Sequence, residues 1–288
     1  MKIKGTTKVY AVLGHPISHS LSPLMHNAAF KELGMDAVYV AFDVVPERLE
    51  NVLKAMHCMG FGGVNLTIPL KEKAYALLNN NMDDSARLLG SVNTVEFRQD
   101  HMRGYSTDGY GFLMAVKEEF GIGVAGLSFF VIGAGGAGRA VAITIAREGA
   151  NSIAITDVVH ERAEKVAEEI RNISNCKVHV VSQSRDEQIA TARTADMIIQ
   201  ATPVGMKPDD KPLLSSEAFR RGQMLFDLVY HHRETGIMEE AKKAGVRVAN
   251  GLSMLLHQGA RSFAIWTGRE PPLSVMRSVL EDAVYGSC

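Results

Sequence analysis

Apolar positions in the first hundred residues alternate between two periods. Val9–Gly14, Ala37–Val44 and Gly63–Ile68 are short runs rich in β-branched residues and read as strands. Between them, Leu24–Leu33 and Glu47–Met59 repeat apolar residues at helical spacing, an order that predicts a parallel βαβ layer. Residues 91–105 read as a two-stranded excursion around Gln99-Asp100-His101, and Tyr110–Phe120 returns to helix. A second alternation opens with the continuous apolar run Leu127–Ile132, suited to a central strand. After it come helix 138–148, strand 152–157, helix 160–171, strand 177–181, helix 185–194, strands 196–201 and 223–229, and helix 235–244. This is a doubly wound pattern. The tail, Leu252–Trp266 and Ser274–Val284, is helical and leaves the alternation, free to pack back on the first half.

Composition adds exclusions. With 46% apolar and 22% charged residues the chain buries enough surface to offset its conformational entropy, so it folds rather than staying disordered. At 288 residues it has room for about two domains of roughly 150. Basic and acidic residues number 31 and 32, a balance that argues against a nucleic-acid or membrane-surface partner and fits a small neutral or anionic one. No apolar run has transmembrane length, and residues 1–8 lack the apolar core of a signal peptide, so a cytoplasmic location is expected. Cys58, Cys176 and Cys288 are too scattered for a disulfide framework or a zinc motif and read as incidental thiols. His15, His19 and His26 lack a completing acid, so no metal site is expected.

The strongest local signal is Gly133-Ala134-Gly135-Gly136-Ala137-Gly138, a G-x-G-x-x-G run directly after a strand and opening a helix. Gly133 suits the tight turn, Gly135 the approach of a pyrophosphate and Gly138 close packing of helix on strand. Asp157 follows 19 residues after the last glycine, at the end of the next strand, where an acid accepts hydrogen bonds from an adenosine ribose. A 2′-phosphate there meets like charge, so NAD is the expected cofactor, with NADP an alternative that Arg162 would have to rescue; a plain cap of the following helix is the other reading of Asp157.

The first half holds short polar clusters. Asn65-Leu66-Thr67-Ile68-Pro69-Leu70-Lys71 ends a strand and uses a proline to start a helix with Lys71 in its first turn. By itself Lys71 also fits a solvated surface lysine. Ser20 and Ser22 precede Pro23, which places Ser22 as a helix N-cap, and Asp108 in Ser106-Thr107-Asp108-Gly109 reads equally as an N-cap.

Taken together, the clusters resemble the shikimate dehydrogenase family, including its quinate/shikimate branch. The ordered matches are His19-Ser20-Leu21-Ser22-Pro23, the Asn65–Lys71 run, Gly90-Ser91-Val92-Asn93-Thr94, Thr107-Asp108-Gly109, the glycine turn, Ala201-Thr202-Pro203-Val204-Gly205-Met206 and His257-Gln258-Gly259-Ala260. The resemblance implies an α/β fold: a substrate domain with a mostly parallel sheet, residues 1–108 and 251–288, interrupted by a Rossmann domain, 109–250, with a cleft between them. It implies that Ser20 and Ser22 hold a substrate carboxylate, that Thr67, Asn93 and Gln258 meet ring hydroxyls, and that Tyr230 lines the site. Lys71 and Asp108 would form the catalytic pair, Lys71 exchanging a proton with the C3 oxygen while Asp108 aims it. Besides the glycine turn and Asp157, the nucleotide would meet Thr202, Gly205, Met206, Gly251 and Met254.

This chain departs from the family pattern in four places. Members using NADP carry Asn-Arg-Thr where it has Thr156-Asp157-Val158, and the usual Asn-Thr-Asp-Gly is Ser106-Thr107-Asp108-Gly109. Tyr-Asn-Pro is replaced by Tyr230-His231-His232, and Asp-Gly-Leu-Gly-Met-Leu by Asn250-Gly251-Leu252-Ser253-Met254-Leu255. The expected activity is NAD-linked oxidation of shikimate, in a monomer or homodimer, with quinate as an alternative substrate. A non-catalytic NAD-binding sensor is the rival of another class, and the absence of G-x-S-x-G removes a serine hydrolase.

Overall fold

The computed structural model describes residues 2–79, 81–207 and 209–286, which leaves Cys288 outside the described residues. The chain divides into two compact units, Met1–Gly111 with Leu256–Cys288, and Phe112–Leu255.

In the first unit, β1 (Lys8–Gly14), β2 (Ala37–Asp43) and β3 (Gly63–Leu66) run parallel, as the βαβ order predicts. The 91–105 excursion is the antiparallel pair β4 (Thr94–Phe97) and β5 (Met102–Tyr105), so the sheet is mixed, in the order β2-β1-β3-β4-β5. Ala11, Leu13, Val64, Leu66 and Val95 pack one face against Leu49, Leu53 and Met56 of the second helix. That face supplies the unit's hydrophobic core, since apolar strand residues gain most where both faces are covered.

Helix α1 spans Ser22–Glu32 and its N-cap is Leu21, with no side-chain cap, so Ser22 is the first helical residue and not the cap. Ser22 is itself buried, and its side chain acts on Tyr39, lowering that phenol's pKa against the larger upward push of burial. Asn27 of α1 caps the outer edge of β2, donating to the Tyr39 carbonyl at 2.8 Å and accepting from its N–H at 2.9 Å, in place of a missing neighbour strand. The segment expected as one helix from Glu47 opens as a 3₁₀ turn, Pro46–Arg48, and becomes α2 at Leu49–Cys58. Helix α3 (Lys71–Leu78) follows Pro69, as predicted, and the short α4 (Asp84–Leu89), capped by Asp83, was not foreseen. Six residues are too few for a helical period to register. Helix α5 (Asp108–Phe120) starts at Asp108 and carries the chain into the second unit.

There β6 (Ser128–Ile132), α6 (Gly136–Arg147), β7 (Ser152–Thr156), α7 (His160–Ile173), β8 (Lys177–Val180), α8 (Arg185–Thr194), β9 (Met197–Gln200), β10 (Met224–Asp227) and α9 (Gly236–Lys243) follow the predicted alternation. A sixth strand, β11 (Arg247–Asn250), lies at the edge of the all-parallel order β11-β10-β9-β6-β7-β8. Only Ala249 of its four residues is buried, which leaves too weak an apolar run to read as a strand. The strand order reverses between β6 and β9, the point at which open α/β sheets bind ligands outside their carboxyl ends. Helix α10 (Leu252–Thr267) leads back to the first unit, where α11 (Leu273–Tyr285) packs on α1. No helix among the described residues is long and apolar enough to cross a membrane.

Candidate active site

In the first unit a run of polar side chains is buried at the ends of β3 and β4. Lys71 stands at the first position of α3, and its Nζ lies 2.7 Å from Asp108 Oδ2. The two side chains are 23% and 9% exposed, so solvent screens their attraction far less than at an open surface. Asp108 is therefore no simple helix cap: its other oxygen accepts from Asn93 Nδ2 at 2.8 Å.

Asn93 is almost wholly buried, and its amide has one orientation. Oδ1 accepts from the Thr107 backbone N–H at 2.8 Å and from Thr94 Oγ1 at 2.9 Å, while Nδ2 also reaches Thr107 Oγ1 at 2.9 Å. Gln258 Oε1 closes the cluster, 3.4 Å from Asn93 Nδ2. Lys71 of α3 and Asn93, just before β4, thus meet on the Asp108 carboxylate at the start of α5, with Gln258 of α10 behind Asn93, and the carboxylate orients the lysine by charge-assisted hydrogen bonding.

A second layer lies behind the cluster. Asn65 Nδ2 donates to the Asn93 carbonyl, Thr94 Oγ1 and Ser262 Oγ, each at 3.0 Å, and its Oδ1 accepts from Tyr39 Oη at 2.7 Å. Burial pushes the Tyr39 hydroxyl well above the usual phenol range, so it remains a donor. Ser20 Oγ accepts from the Ser22 N–H at 3.4 Å, and Thr67 is half-buried at the end of β3. Sequence reasoning singled out Lys71, Asp108, Asn93 and Gln258 but passed over Tyr39, Thr94, Thr107 and Ser262 as partners. Their one sequence signal is a hydroxyl among apolar neighbours, which does not say what that hydroxyl meets.

The second unit builds its site from backbone. Gly133, at φ +105°, makes the turn after β6, and a Cβ there would sit 2.8 Å from the Ala201 carbonyl oxygen. At Gly138 a Cβ would lie 1.9 Å from the Gly133 oxygen, so α6 passes the turn at a distance only glycine permits. Gly135 is the N-cap of α6 and supplies no capping side chain, and a Cβ at Gly135 or Gly136 would meet nothing within 4 Å. The first turn of α6 itself carries no acidic residue and leaves its N–H groups open, a cradle that fits a phosphate.

Asp157 ties this turn together. Its Oδ2 accepts from the Ala134 N–H at 2.7 Å and its Oδ1 from the Val159 N–H at 2.8 Å, while the N-cap of α7 is Val159. It is thus not the cap of that helix. Thr202 and Gly205 lie in the loop after β9, shaped by buried Gln200, which donates to the Val204 carbonyl at 2.7 Å and accepts from the Thr202 N–H. Met206 is exposed, Gly251 and Met254 are buried, and Tyr230 stacks on His231 with centroids 4.5 Å apart.

Two family models match the chain: a shikimate dehydrogenase substrate binding domain over residues 12–95, and a shikimate 5'-dehydrogenase C-terminal domain over residues 251–281. A shikimate dehydrogenase (NADP(+)) of Methanopyrus kandleri is 44% identical, covering 98% of both chains. Among solved structures, the shikimate 5-dehydrogenase of Listeria monocytogenes, in complex with shikimate and NAD, superposes with a TM-score of 0.91 at 34% identity, covering 97% of this chain and 98% of that one. The quinate dehydrogenase of Corynebacterium glutamicum, in complex with NAD, gives 0.86 at 30% identity over 95% and 98%. With such agreement over nearly its full length, the chain belongs to the shikimate dehydrogenase family and is an NAD(P)-dependent oxidoreductase acting on a CH–OH group.

Proposed function

We propose that the chain interconverts shikimate and 3-dehydroshikimate, with Lys71 and Asp108 as the catalytic pair and NAD as the preferred cofactor. The observation that carries this reading is the 2.7 Å Lys71–Asp108 contact, backed by Asn93 and shielded from solvent. A nicotinamide nucleotide held at the glycine turn supplies the hydride acceptor. As the C3–H electron pair departs and the carbonyl forms, Lys71, entering this direction as the neutral amine, takes the hydroxyl proton and becomes the ammonium; in the reverse direction the ammonium returns that proton to the carbonyl oxygen. Asp108 holds the ammonium in place, and Asn93, itself fixed by Thr107, holds Asp108. A proton-transfer group so placed contributes about 10²- to 10⁴-fold. Ser20 and Ser22 bind the carboxylate, and Thr67, Asn93, Gln258 and Tyr230 contact the substrate around its ring. Residues 133–138 receive the pyrophosphate, with Thr202, Gly205, Met206, Gly251 and Met254 around the rest of the nucleotide.

Two observations support NAD, although the Methanopyrus relative is named for NADP(+). The Asp157 carboxylate is locked by two backbone N–H groups beside the cradle, where a 2′-phosphate would be repelled by about 1–4 kcal/mol per unit charge. Thr156-Asp157-Val158 supplies no basic side chain where NADP-using members carry the arginine of Asn-Arg-Thr, and Val158, 87% exposed, is unable to pair with a phosphate. Quinate remains the second substrate, since a quinate dehydrogenase shares this fold at 30% identity. A steady-state matrix of shikimate and quinate against NAD and NADP tests the reading. Its highest kcat/KM is expected for shikimate with NAD, at least tenfold above shikimate with NADP; equal values would refute the cofactor preference. Nucleotide binding without turnover of either acid would replace the enzyme by a sensor.

A further inference from the structure

Three pieces of the second unit implied at the nucleotide site are the 201–206 loop, the loop after β10 that carries Tyr230, and the start of α10 with Gly251 and Met254. One residue links all three, the last through Asn250. The ring of His232 lies with Nε2 3.0 Å from the Met206 carbonyl oxygen. A carbonyl only accepts, so Nε2 carries the hydrogen, and both the neutral ring in that tautomer and the imidazolium make the bond. The carbonyls of His232 and Arg233 accept from Asn250 Nδ2 at 3.2 Å each, and Asn250 Oδ1 accepts from the Leu252 N–H at 3.1 Å at the start of α10.

The floor under this tie is rigid. Asp227, fully buried at the end of β10, accepts from the Val229 N–H at 3.0 Å and from Thr235 Oγ1 at 2.5 Å, closing the loop at both ends. Thr235 in turn packs under Gly205, where a Cβ would lie 3.3 Å from its side chain. From the other side Asp210 accepts from the Gly205 and Lys207 N–H groups at 2.8 and 3.1 Å, leaving the Met206 carbonyl to be oriented by His232. In the family pattern this place is a proline, which has no side-chain donor, so the tie belongs to this chain's His231-His232 departure.

We propose that His232 is a positioning residue for the nicotinamide end of the nucleotide site: by fixing the Met206 carbonyl it holds the 201–206 loop in register with the Tyr230 loop and the start of α10. The proposal rests on the nucleotide reading given above. The test compares wild type, His232→Ala and His232→Gln in NAD-dependent turnover of shikimate and in direct titration with NAD and with ADP-ribose, which lacks the nicotinamide. Losing one hydrogen bond, His232→Ala is expected to lower kcat/KM for NAD about three- to tenfold, with ADP-ribose affinity unchanged. Gln places an amide donor near the position of Nε2 and is expected to restore NAD binding and turnover to within about twofold. An alanine variant as active as wild type, a glutamine variant as impaired as alanine, or ADP-ribose affinity falling in step with that for NAD would overturn the proposal, the last by showing a general loss of structure. A wild type that binds NAD but turns over no substrate refutes the enzymatic reading alone, because the NAD and ADP-ribose titrations still decide the role of His232. A wild type that binds no NAD overturns both.

Discussion

The two units offer opposite kinds of site. In the first, side chains do the work: an ammonium, a carboxylate, two amides and several hydroxyls, drawn from four elements and bonded mainly to one another. In the second, the backbone does: a turn without side chains, a helix N-terminus without a cap, and loops shaped by hydrogen bonds to main-chain groups. The difference matches the ligands each is proposed to receive. Recognising one hydroxy acid and moving its proton takes distinct functional groups at fixed points, whereas a pyrophosphate is met by dipoles and close approach. It also explains how a chain with a net charge of −1 can serve two anionic ligands with no positive field overall.

The contrast predicts different ways of failing. Lys71→Ala removes a functional group from a framework that stays intact, so kcat for shikimate should fall at least a hundredfold with substrate KM little changed. Retention of a tenth of the activity in steady-state assays would remove Lys71 from its role. Gly138→Ala adds one methyl group and no chemistry, yet its Cβ would press first on the Gly133 backbone, 1.9 Å away. Overpacking of this kind costs about 1–3 kcal/mol, and the midpoint of urea unfolding should drop accordingly, together with NAD affinity. An unchanged midpoint would mean that the turn is not built as tightly as described.

Buried titratable groups sharpen the contrast through pH. His26 in the first unit is fully buried, stacked on Tyr39 at 4.3 Å, and burial depresses its pKa to about 3. The unfolded chain therefore binds the proton first, and the neutral ring's contribution, complete above pH 6.5, is lost at about 1.4 kcal/mol per unit as pH falls toward 3. Asp227 in the second unit has the opposite sign: burial raises its pKa to about 6, against the hydrogen bonds from Thr235 and Val229. Its contribution is complete below the ordinary carboxylate value of 3.8 and is lost as pH rises toward 6. His26→Phe should flatten the acid side of the stability profile, raising stability at pH 5 relative to pH 7 by about 2 kcal/mol compared with wild type. Urea titrations at the two pH values measure this, and parallel profiles would contradict it. The smallest effect is expected at the cofactor: Asp157→Asn removes the charge and keeps the hydrogen-bonding shape, so the NAD-to-NADP ratio of kcat/KM should fall about tenfold. An unchanged ratio would show that Asp157 does not select the nucleotide.

Local order along the chain was enough for the alternation of strands and helices, the glycine turn and the acid after it, because each is written within one or two turns of chain. Periodicity, a proline at a helix start and G-x-G-x-x-G act over neighbours, and from β1 to α9 the structure bears out the predicted alternation apart from the short α4. Resemblance added Lys71 and Asp108 as a pair, which spacing alone left as a surface lysine and a helix cap. Tertiary structure alone decided the rest. That Tyr39 gives its hydroxyl to Asn65, that Asn65 reaches Ser262 across 197 residues, and that Asp157 closes the glycine turn rather than capping α7 all depend on which strands lie side by side. A side chain's partner is set by burial, since an unpaired polar group inside the fold costs more than the bond itself yields, and only the assembled fold determines which groups are buried together.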